Sequence, residues 1–259
     1  MTKSLLAYII TRMQVVVDKM VVNYEFLKKV GSAKYLVILP GWMRTSGEWQ
    51  NIAQEFSNDY NVVVLDFPGF GITPKATANL DTYDYANFTE KFLTKLGIRK
   101  CILLGHSFGG RVATVLAAKT SLADKLVLVD SAGLDTKNLW ITTKQAPVDL
   151  IKPILPLIPG KVALKLRALL GSQDYKSAGS MRNTLIKVVN QNLRYLLKQI
   201  HVPVFVIWGD KDNQLGVDET KIYKEEIPSS VVRIVWGSGH SPHLEKAEKF
   251  TEILKEFLC

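Results

Sequence analysis

The stretch CILLGHSFGGRVATVLAAK, residues 101–119, decides the fold of this chain. It opens with an unbroken apolar run, which is typical of strands that are buried on both faces of a sheet. It ends with small and apolar residues at helical spacing. Between the two lies GHSFGG, residues 105–110, a glycine-rich turn around one serine. The stretch therefore predicts a strand, a tight turn and a helix, which together are the repeating unit of α/β folds.

Short apolar runs recur along the chain and alternate with stretches of helical periodicity. The runs lie at residues 36–39, 62–65, 102–104, 126–129, 204–208 and 231–236, and the helical stretches at residues 49–56, 83–96, 109–119 and 219–225. This alternation predicts an α/β fold with a mostly parallel central sheet flanked by helices. Residues 15–30 are rich in β-branched and aromatic residues and predict an antiparallel edge hairpin. Ser241 as N-cap and Pro242 as first helical residue predict a final helix.

The regular alternation stops between residues 134 and 199. Prolines and helical stretches dominate there, and residues 134–200 contain eleven Lys and Arg against three Asp, most of the net charge of +9. We interpret residues 134–199 as an inserted helical cap, and residues 1–133 and 200–259 as the core domain. The leucines of the predicted cap favour an apolar pocket, whereas the charges of the cap are typical of a solvated surface rather than a dedicated anion site. Arg182 is the one basic residue that we single out as a substrate contact.

Composition limits the classes of protein to which the chain can belong. It has 259 residues, of which 47% are hydrophobic, and the apolar residues 5–10 are followed at once by Arg12 without a cleavage site of small residues. We therefore expect neither a signal peptide nor stable membrane insertion, and a cytoplasmic location. The two cysteines have no partners at metal-ligand spacing, so we expect no metal and no cofactor. We expect a small-molecule substrate, no nucleic acid, and a monomer or homodimer.

The serine in the glycine-rich turn is a candidate nucleophile. A seryl oxygen needs an exposed position and a base, and small residues two positions before and after it allow a sharp turn between strand and helix. Gly105 and Gly109 occupy those positions around Ser107. The alternatives are an incidental serine or a phosphate-binding loop. The latter requires Lys and then Ser or Thr after the last glycine, where this chain has Arg111 and Val112.

Four histidines are candidates for the base. His106 is adjacent to the serine, so its side chain should diverge, and His201 lies at the amino end of a strand, away from the edge where ligands bind. His243 falls in the first helical turn on the face of Phe250, which favours packing. His240 follows a predicted strand in a loop and is our choice. Gly-His-Ser therefore occurs twice with different expected roles: the serine acts in the first copy and the histidine in the second.

The acid and one of the two oxyanion donors come from other loops. Asp212 in "WGDKD" is the first choice for the carboxylate that orients the base, with Asp210 second and Asp130, after another strand, third. Backbone N–H groups that bind a developing oxyanion are expected at Phe108, directly after the nucleophile, and at Trp42 in "LPGW".

Taken together, five motifs resemble the α/β-hydrolase superfamily over essentially the whole chain. They are "LPGW", "LDFPGFG", "GHSFGG", "WGDKD" and "GSGHSPHLEKAEKF", in the order of the family. The resemblance implies the α/β-hydrolase fold with a helical cap over the pocket. It also implies Ser107 as nucleophile, Asp212 as acid, His240 as base, and Trp42 and Phe108 as oxyanion donors. The expected activity is that of a serine hydrolase, most simply a carboxylesterase acting on small to medium acyl groups.

Some positions depart from the family pattern. Pro40 stands where the oxyanion loop usually has histidine, and Gly216 where the acid loop often has proline. Haloalkane dehalogenases and epoxide hydrolases of the superfamily use an aspartate nucleophile, which Ser107 argues against. Carbon-carbon hydrolases commonly have a tryptophan shortly after the histidine, and it is missing here. Carbon-carbon hydrolysis, perhydrolysis and a homologue that binds ligand without turnover remain alternatives.

Overall fold

A computed structural model describes residues 11–134 and 178–258. Their strands form one eight-stranded sheet with the order β1-β2-β4-β3-β5-β6-β7-β8. The strands are β1 Thr11–Val17, β2 Met20–Leu27, β3 Tyr35–Leu39, β4 Asn61–Leu65, β5 Cys101–His106, β6 Ala123–Val129, β7 Val204–Gly209 and β8 Val231–Val235. The six strands from β3 to β8 run parallel, whereas β1 and β2 pair antiparallel and β2 joins β4 antiparallel. The mostly parallel sheet and the antiparallel edge hairpin are thus confirmed.

Helices cover both faces of this sheet. They are α1 Gln50–Phe56, α2 Thr82–Lys95, α3 Phe108–Lys119, α4 Arg182–Val189, α5 Arg194–Leu197, α6 Glu219–Glu226, α7 Pro242–Glu245 and α8 Ala247–Leu258. Neighbouring residues of one strand pack into hydrophobic clusters on opposite faces of the sheet. Val37 lies in the cluster with α2 and α3, and Ile38 lies in the cluster with α1 and α8. This two-sided burial explains why the parallel strands are continuous apolar runs in the sequence.

The last helical region differs from the continuous helix that we predicted. It breaks at Lys246 into α7 and α8. Ser241 stands at the N-cap position but makes no side-chain capping bond. Instead the Glu245 carboxylate turns back and accepts hydrogen bonds from the backbone amides of Ser241 and Gly239, at 3.0 and 2.7 Å. Ser241 thus takes the predicted N-cap position, but its hydroxyl makes no capping bond, and the amide of Leu244 in the first turn bonds to the Ser241 carbonyl oxygen instead, at 2.9 Å.

The described end of the predicted cap packs on the core. The buried guanidinium of Arg111 on α3 donates hydrogen bonds to the carbonyls of Val188 and Gln191, at 2.9 and 2.8 Å. The amide oxygen of Gln191 accepts from the backbone N–H of Thr82 at the start of α2. Residues 135–177, which include most of the predicted cap and its leucines, lie outside the described residues. Over the described ranges, none of the helices has the length and apolarity needed to cross a membrane.

Candidate active site

Ser107 lies in a strained turn between β5 and α3. Its backbone has φ of 51° and ψ of −112°, a conformation that residues other than glycine rarely adopt. A Cβ atom on Gly105 would lie 2.4 Å from the carbonyl oxygen of Gly109. One on Gly109 would lie 1.9 Å from that of Leu39. The two glycines therefore let strand and helix approach closely enough to form the turn, which presents the serine at the carboxyl edge of the sheet.

Ser107, His240 and Asp212 form one hydrogen-bonded chain. The Ser107 hydroxyl lies 2.9 Å from Nε2 of His240, and Nδ1 of His240 lies 2.7 Å from Oδ2 of Asp212. An ionised carboxylate only accepts hydrogen bonds, so Nδ1 carries the proton and Nε2 accepts from the hydroxyl. The Asp212 side chain is fully buried, and the His240 side chain is 13% exposed. The structure thus brings these three predicted residues together in the order nucleophile, base and orienting acid.

The loop after β7 holds the Asp212 carboxylate in its ionised form. Oδ1 accepts hydrogen bonds from the backbone amides of Gln214 and Leu215, at 2.8 and 3.0 Å. Burial raises the pKa of Asp212, but the hydrogen bond and charge of His240 and the two amides outweigh it, so the net pKa is lowered. A carboxylate in this state can hold the imidazole and stabilise its positive charge.

His106 connects the nucleophile turn to the histidine loop. Its Nε2 lies 2.7 Å from the carbonyl oxygen of His240, so this nitrogen carries the proton and donates. Burial, followed by the nearby charge of His240, lowers the pKa of His106 to about 3, so the ring stays neutral. The scaffolding role expected of His106 thus takes a definite form. This bond joins residues 134 positions apart, and the sequence shows no signal for it.

The other candidates for base and acid have different contacts. Asp210, the second choice for the acid, accepts hydrogen bonds from the amides of Gly237 and Ser238 and so fixes the turn that leads to His240. His243 stacks on Trp49 with ring centroids 3.9 Å apart and is buried, which agrees with a packing role. His201 is exposed before β7.

The two expected oxyanion donors lie side by side. Phe108 is the first residue of α3, so its N–H has no acceptor within the helix. Trp42 follows β3, and its ring contacts the Phe108 ring edge to face with centroids 5.4 Å apart. Phe67, Phe70 and Tyr85 pack around Phe108 at 5.0 to 5.5 Å. These aromatic contacts pack the two side chains together beside the nucleophile turn, and the role of the Phe108 and Trp42 N–H groups as oxyanion donors stays a prediction.

Arg182, the predicted substrate contact, is the first residue of α4 and is half-buried. It is not part of the hydrogen-bonded chain of Ser107, His240 and Asp212. Its role in binding substrate stays a prediction.

Asp130, the third choice for the acid, lies beside the chain of three. Over the described residues, Asp130, Asp212 and His240 form the one group of carboxyl and imidazole ligand atoms that lie close enough to hold a metal ion, within 4.8 Å of one another. Both ring nitrogens of His240 are already engaged, one with Ser107 and one with Asp212. The arrangement therefore suits proton transfer better than metal binding, and the expected absence of a metal stays a prediction.

The sequence is similar to those of known proteins. Residues 34–152 match a family model described as alpha/beta hydrolase fold. A monoacylglycerol lipase of Mus musculus is 26% identical over 265 aligned residues, which cover 91% of this chain and 79% of the lipase.

Two solved structures show the same architecture along nearly the whole chain. A membrane phospholipase A, described as a bacterial virulence factor, has a TM-score of 0.77 at 24% identity and covers 96% of this chain and 85% of its own. A meta-cleavage product hydrolase from Pseudomonas fluorescens has a TM-score of 0.72 at 20% identity, with 95% and 97% covered. At these identities the likeness shows the fold.

Proposed function

Since the chain is an α/β-hydrolase by fold and by family match, we propose that it is a serine hydrolase that cleaves a carboxylic ester through an acyl-enzyme. One observation carries the proposal: the hydrogen-bonded chain from the Ser107 hydroxyl through His240 to the buried Asp212 carboxylate. A serine in a strained turn, a base within hydrogen-bond distance and a buried acid that fixes the base are the parts that nucleophilic catalysis by serine requires.

In the first half of the reaction, Ser107 Oγ attacks the ester carbonyl carbon while its proton passes to Nε2 of His240. The proton on Nδ1 stays in its hydrogen bond to Asp212, whose negative charge stabilises the imidazolium. The negative charge on the carbonyl oxygen is stabilised by the backbone N–H groups of Phe108 and Trp42. Collapse of the intermediate expels the alcohol, which takes the proton from Nε2.

In the second half, water replaces the alcohol. His240 takes a proton from the water as it attacks the acyl carbon, and the same backbone N–H groups bind the second oxyanion. Collapse of that intermediate releases the carboxylic acid, and Ser107 regains its proton from His240. The bond broken in this half is the one between Oγ and the acyl carbon, so the enzyme returns to its starting state.

The substrate that we propose is an ester with an apolar acyl group of small to medium length. The aromatic side chains around Phe108 give the floor of the site an apolar character. We propose that residues 134–199 form a cap that shapes the rest of the pocket, with Arg182 as a substrate contact. The lipase and the phospholipase among the similar proteins are named for ester substrates, which supports ester cleavage over the carbon-carbon bond hydrolysis of the third.

The test replaces each serine of the two Gly-His-Ser copies in turn. Ser107→Ala should lower kcat on p-nitrophenyl esters by at least roughly a thousandfold and abolish labelling by a fluorophosphonate. Ser241→Ala is the matched control, because its hydroxyl makes no capping bond, and it should keep both. Esters of increasing acyl length and a meta-cleavage dienoate are assayed in parallel. Full esterase activity in Ser107→Ala would rule out the mechanism, and faster turnover of the dienoate would reassign the substrate.

A further inference from the structure

Asp130 is a second fully buried carboxyl group beside the candidate catalytic residues. It directly follows β6, and its backbone has φ of 40°. One oxygen, Oδ1, accepts a hydrogen bond of 3.0 Å from the backbone N–H of Gly209, where β7 ends and the loop that carries Asp212 begins. Over the described residues, the other oxygen, Oδ2, is buried and receives no hydrogen bond from any N–H or O–H donor. A carboxyl oxygen of Asp130 lies within 4.8 Å of a carboxylate oxygen of Asp212.

Two carboxyl groups this close in a buried site share one negative charge, because ionising both places like charges together in a medium of low dielectric constant. The contacts decide which group keeps the charge. Asp212 accepts from His240 and from two backbone amides, whereas Asp130 accepts from the single amide of Gly209. The proton therefore belongs on Asp130. A proton on Oδ2 also explains why no N–H or O–H group donates to this oxygen, since the protonated oxygen is itself a donor.

We propose that Asp130 is a protonated positioning residue: its O–H donates to the Asp212 carboxylate, and its other oxygen fixes the Gly209 amide. This inference rests on the proposed function, because it gives Asp130 a task through Asp212 and His240. The neutral acid ties the end of β6 to the loop that carries Asp212. It does so without adding a second negative charge beside the imidazole.

The groups that face Asp130 agree with this assignment. Burial raises the pKa of Asp130 well above its ordinary value, the amide of Gly209 lowers it, and the charges of Asp212 and Glu245 raise it further. His240 is the titratable base in the same group. Asp130 is thus uncharged over the pH range in which an ordinary histidine titrates.

The test compares Asp130→Asn with Asp130→Leu. Asparagine is neutral, of the same shape, and keeps an N–H donor and a carbonyl acceptor, whereas leucine removes both. Ser131→Ala, one residue further along the chain and also buried, is the matched control for disturbance of this strand end. For each variant, kcat and KM on a p-nitrophenyl ester are measured against pH, together with the carboxylic-acid carbonyl band in the infrared spectrum.

We expect Asp130→Asn to keep kcat and the acidic limb of the profile, because one neutral donor replaces another. Asp130→Leu should lower kcat about tenfold to a hundredfold with little change in KM, because Asp212 and the imidazole lose their fixed geometry. If Asp130 were ionised, Asp130→Asn would remove a negative charge near His240 and move the acidic limb down by about one pH unit or more. That shift, or full kcat in Asp130→Leu, would overturn the proposal.

The infrared measurement separates this inference from the proposed function. At about pH 8, where ordinary aspartates are ionised, the wild-type protein should show a neutral carboxylic-acid band that Asp130→Asn lacks and Ser131→Ala keeps. This result does not depend on ester turnover, and it also decides the matter if Asp130→Leu does not fold. Absence of the band in the wild type would refute a protonated Asp130 even in an active esterase. Its presence in a protein without esterase activity would leave the proton on Asp130 and reject the proposed function.

Discussion

The His106 ring supports the base, His240, by holding the backbone carbonyl of His240 rather than its imidazole. The donor Nε2 belongs to a ring that is buried and neutral. Loss of this hydrogen bond leaves the half-buried His240 carbonyl without this donor and frees the loop that sets the imidazole against the Ser107 hydroxyl. We therefore expect His106→Leu to lower kcat about tenfold to a hundredfold, with KM nearly unchanged, in steady-state assays on an aryl ester.

Two further variants separate this effect from general loss of packing. His106→Gln keeps an N–H donor and should recover most of the lost kcat. His243→Phe removes a neighbouring buried ring, 4.7 Å from that of His106, but makes no change in hydrogen bonding to His240, and it should be close to wild type. Equal losses in His106→Leu and His243→Phe would show that the site depends on packing alone.

At the residue scale, the sequence predicts the groups that stand in local motifs. Ser107 is marked by its glycines, and His240 and Asp212 are marked by the strands that precede them. The tasks of His106 and Asp130 depend on strand ends that meet only in the folded sheet. For that reason Asp130 appears in the sequence merely as a third choice for the acid, and the carbonyl of His240 does not appear at all.

At the element scale, the parallel strands are the most predictable part of the molecule. All six apolar runs correspond to strands, with ends that differ by at most three residues, because strands buried on both faces are nearly continuous apolar runs. The end of the chain was predicted less well. The helix breaks at Lys246, whose φ of −139° and ψ of 50° are not helical, directly after the backward contact of Glu245 with Ser241 and Gly239. Helical periodicity in the sequence does not predict such a contact.

Arg111 ties α4 to the core and gives a prediction about that element. Its buried guanidinium holds the carbonyls of Val188 and Gln191, and burial lowers its pKa to about 10, so it is charged at neutral pH. Arg111→Met should leave the carbonyl of Gln191 without its donor, at a cost of about 1–3 kcal/mol. The carbonyl of Val188 still accepts from the backbone N–H of Gln191, at 3.2 Å. We expect faster hydrogen exchange in peptides from α4, while peptides from β5 exchange as in the wild type.

The conservative variant and a surface variant complete this experiment. Arg111→Lys keeps a cation and part of the hydrogen bonding, so its exchange should be intermediate. Lys187→Met removes an exposed contact with the carbonyl of Asn79 and should change exchange little. Uniform acceleration across all peptides of Arg111→Met would mean that the arginine stabilises the whole fold rather than the attachment of α4.

For the molecule as a whole, three of the buried groups with shifted pKa values give the free energy of unfolding opposite slopes with pH. His106 and His243 have lowered pKa values, mainly through burial. Below the ordinary histidine pKa of about 6.5, the unfolded chain binds protons at these two residues, whereas the folded chain does not. Each histidine then lowers the free energy of unfolding by about 1.4 kcal/mol for every pH unit by which the pH falls. Asp130 has a raised pKa, so the folded chain keeps a proton that the unfolded chain loses above about pH 4, and stability falls as the pH rises.

These opposite slopes predict a maximum of stability near pH 6.5, to be measured as the free energy of unfolding in urea over a series of pH values. Between about pH 7 and 9 the wild type should lose about 1.4 kcal/mol per pH unit relative to Asp130→Asn, whose neutral amide has no proton to keep. Below about pH 6.5, His243→Phe should roughly halve the part of the stability slope that the two histidines cause, because only His106 then remains unprotonated in the fold and protonated in the unfolded chain. Asp124→Asn is the control, since Asp124 is exposed on β6, the strand that Asp130 follows, and makes a surface ion pair with Lys100. If wild type and Asp130→Asn ran parallel from about pH 7 to 9, Asp130 would be ionised in the fold, because a group ionised in both states binds no proton in either and gives no slope.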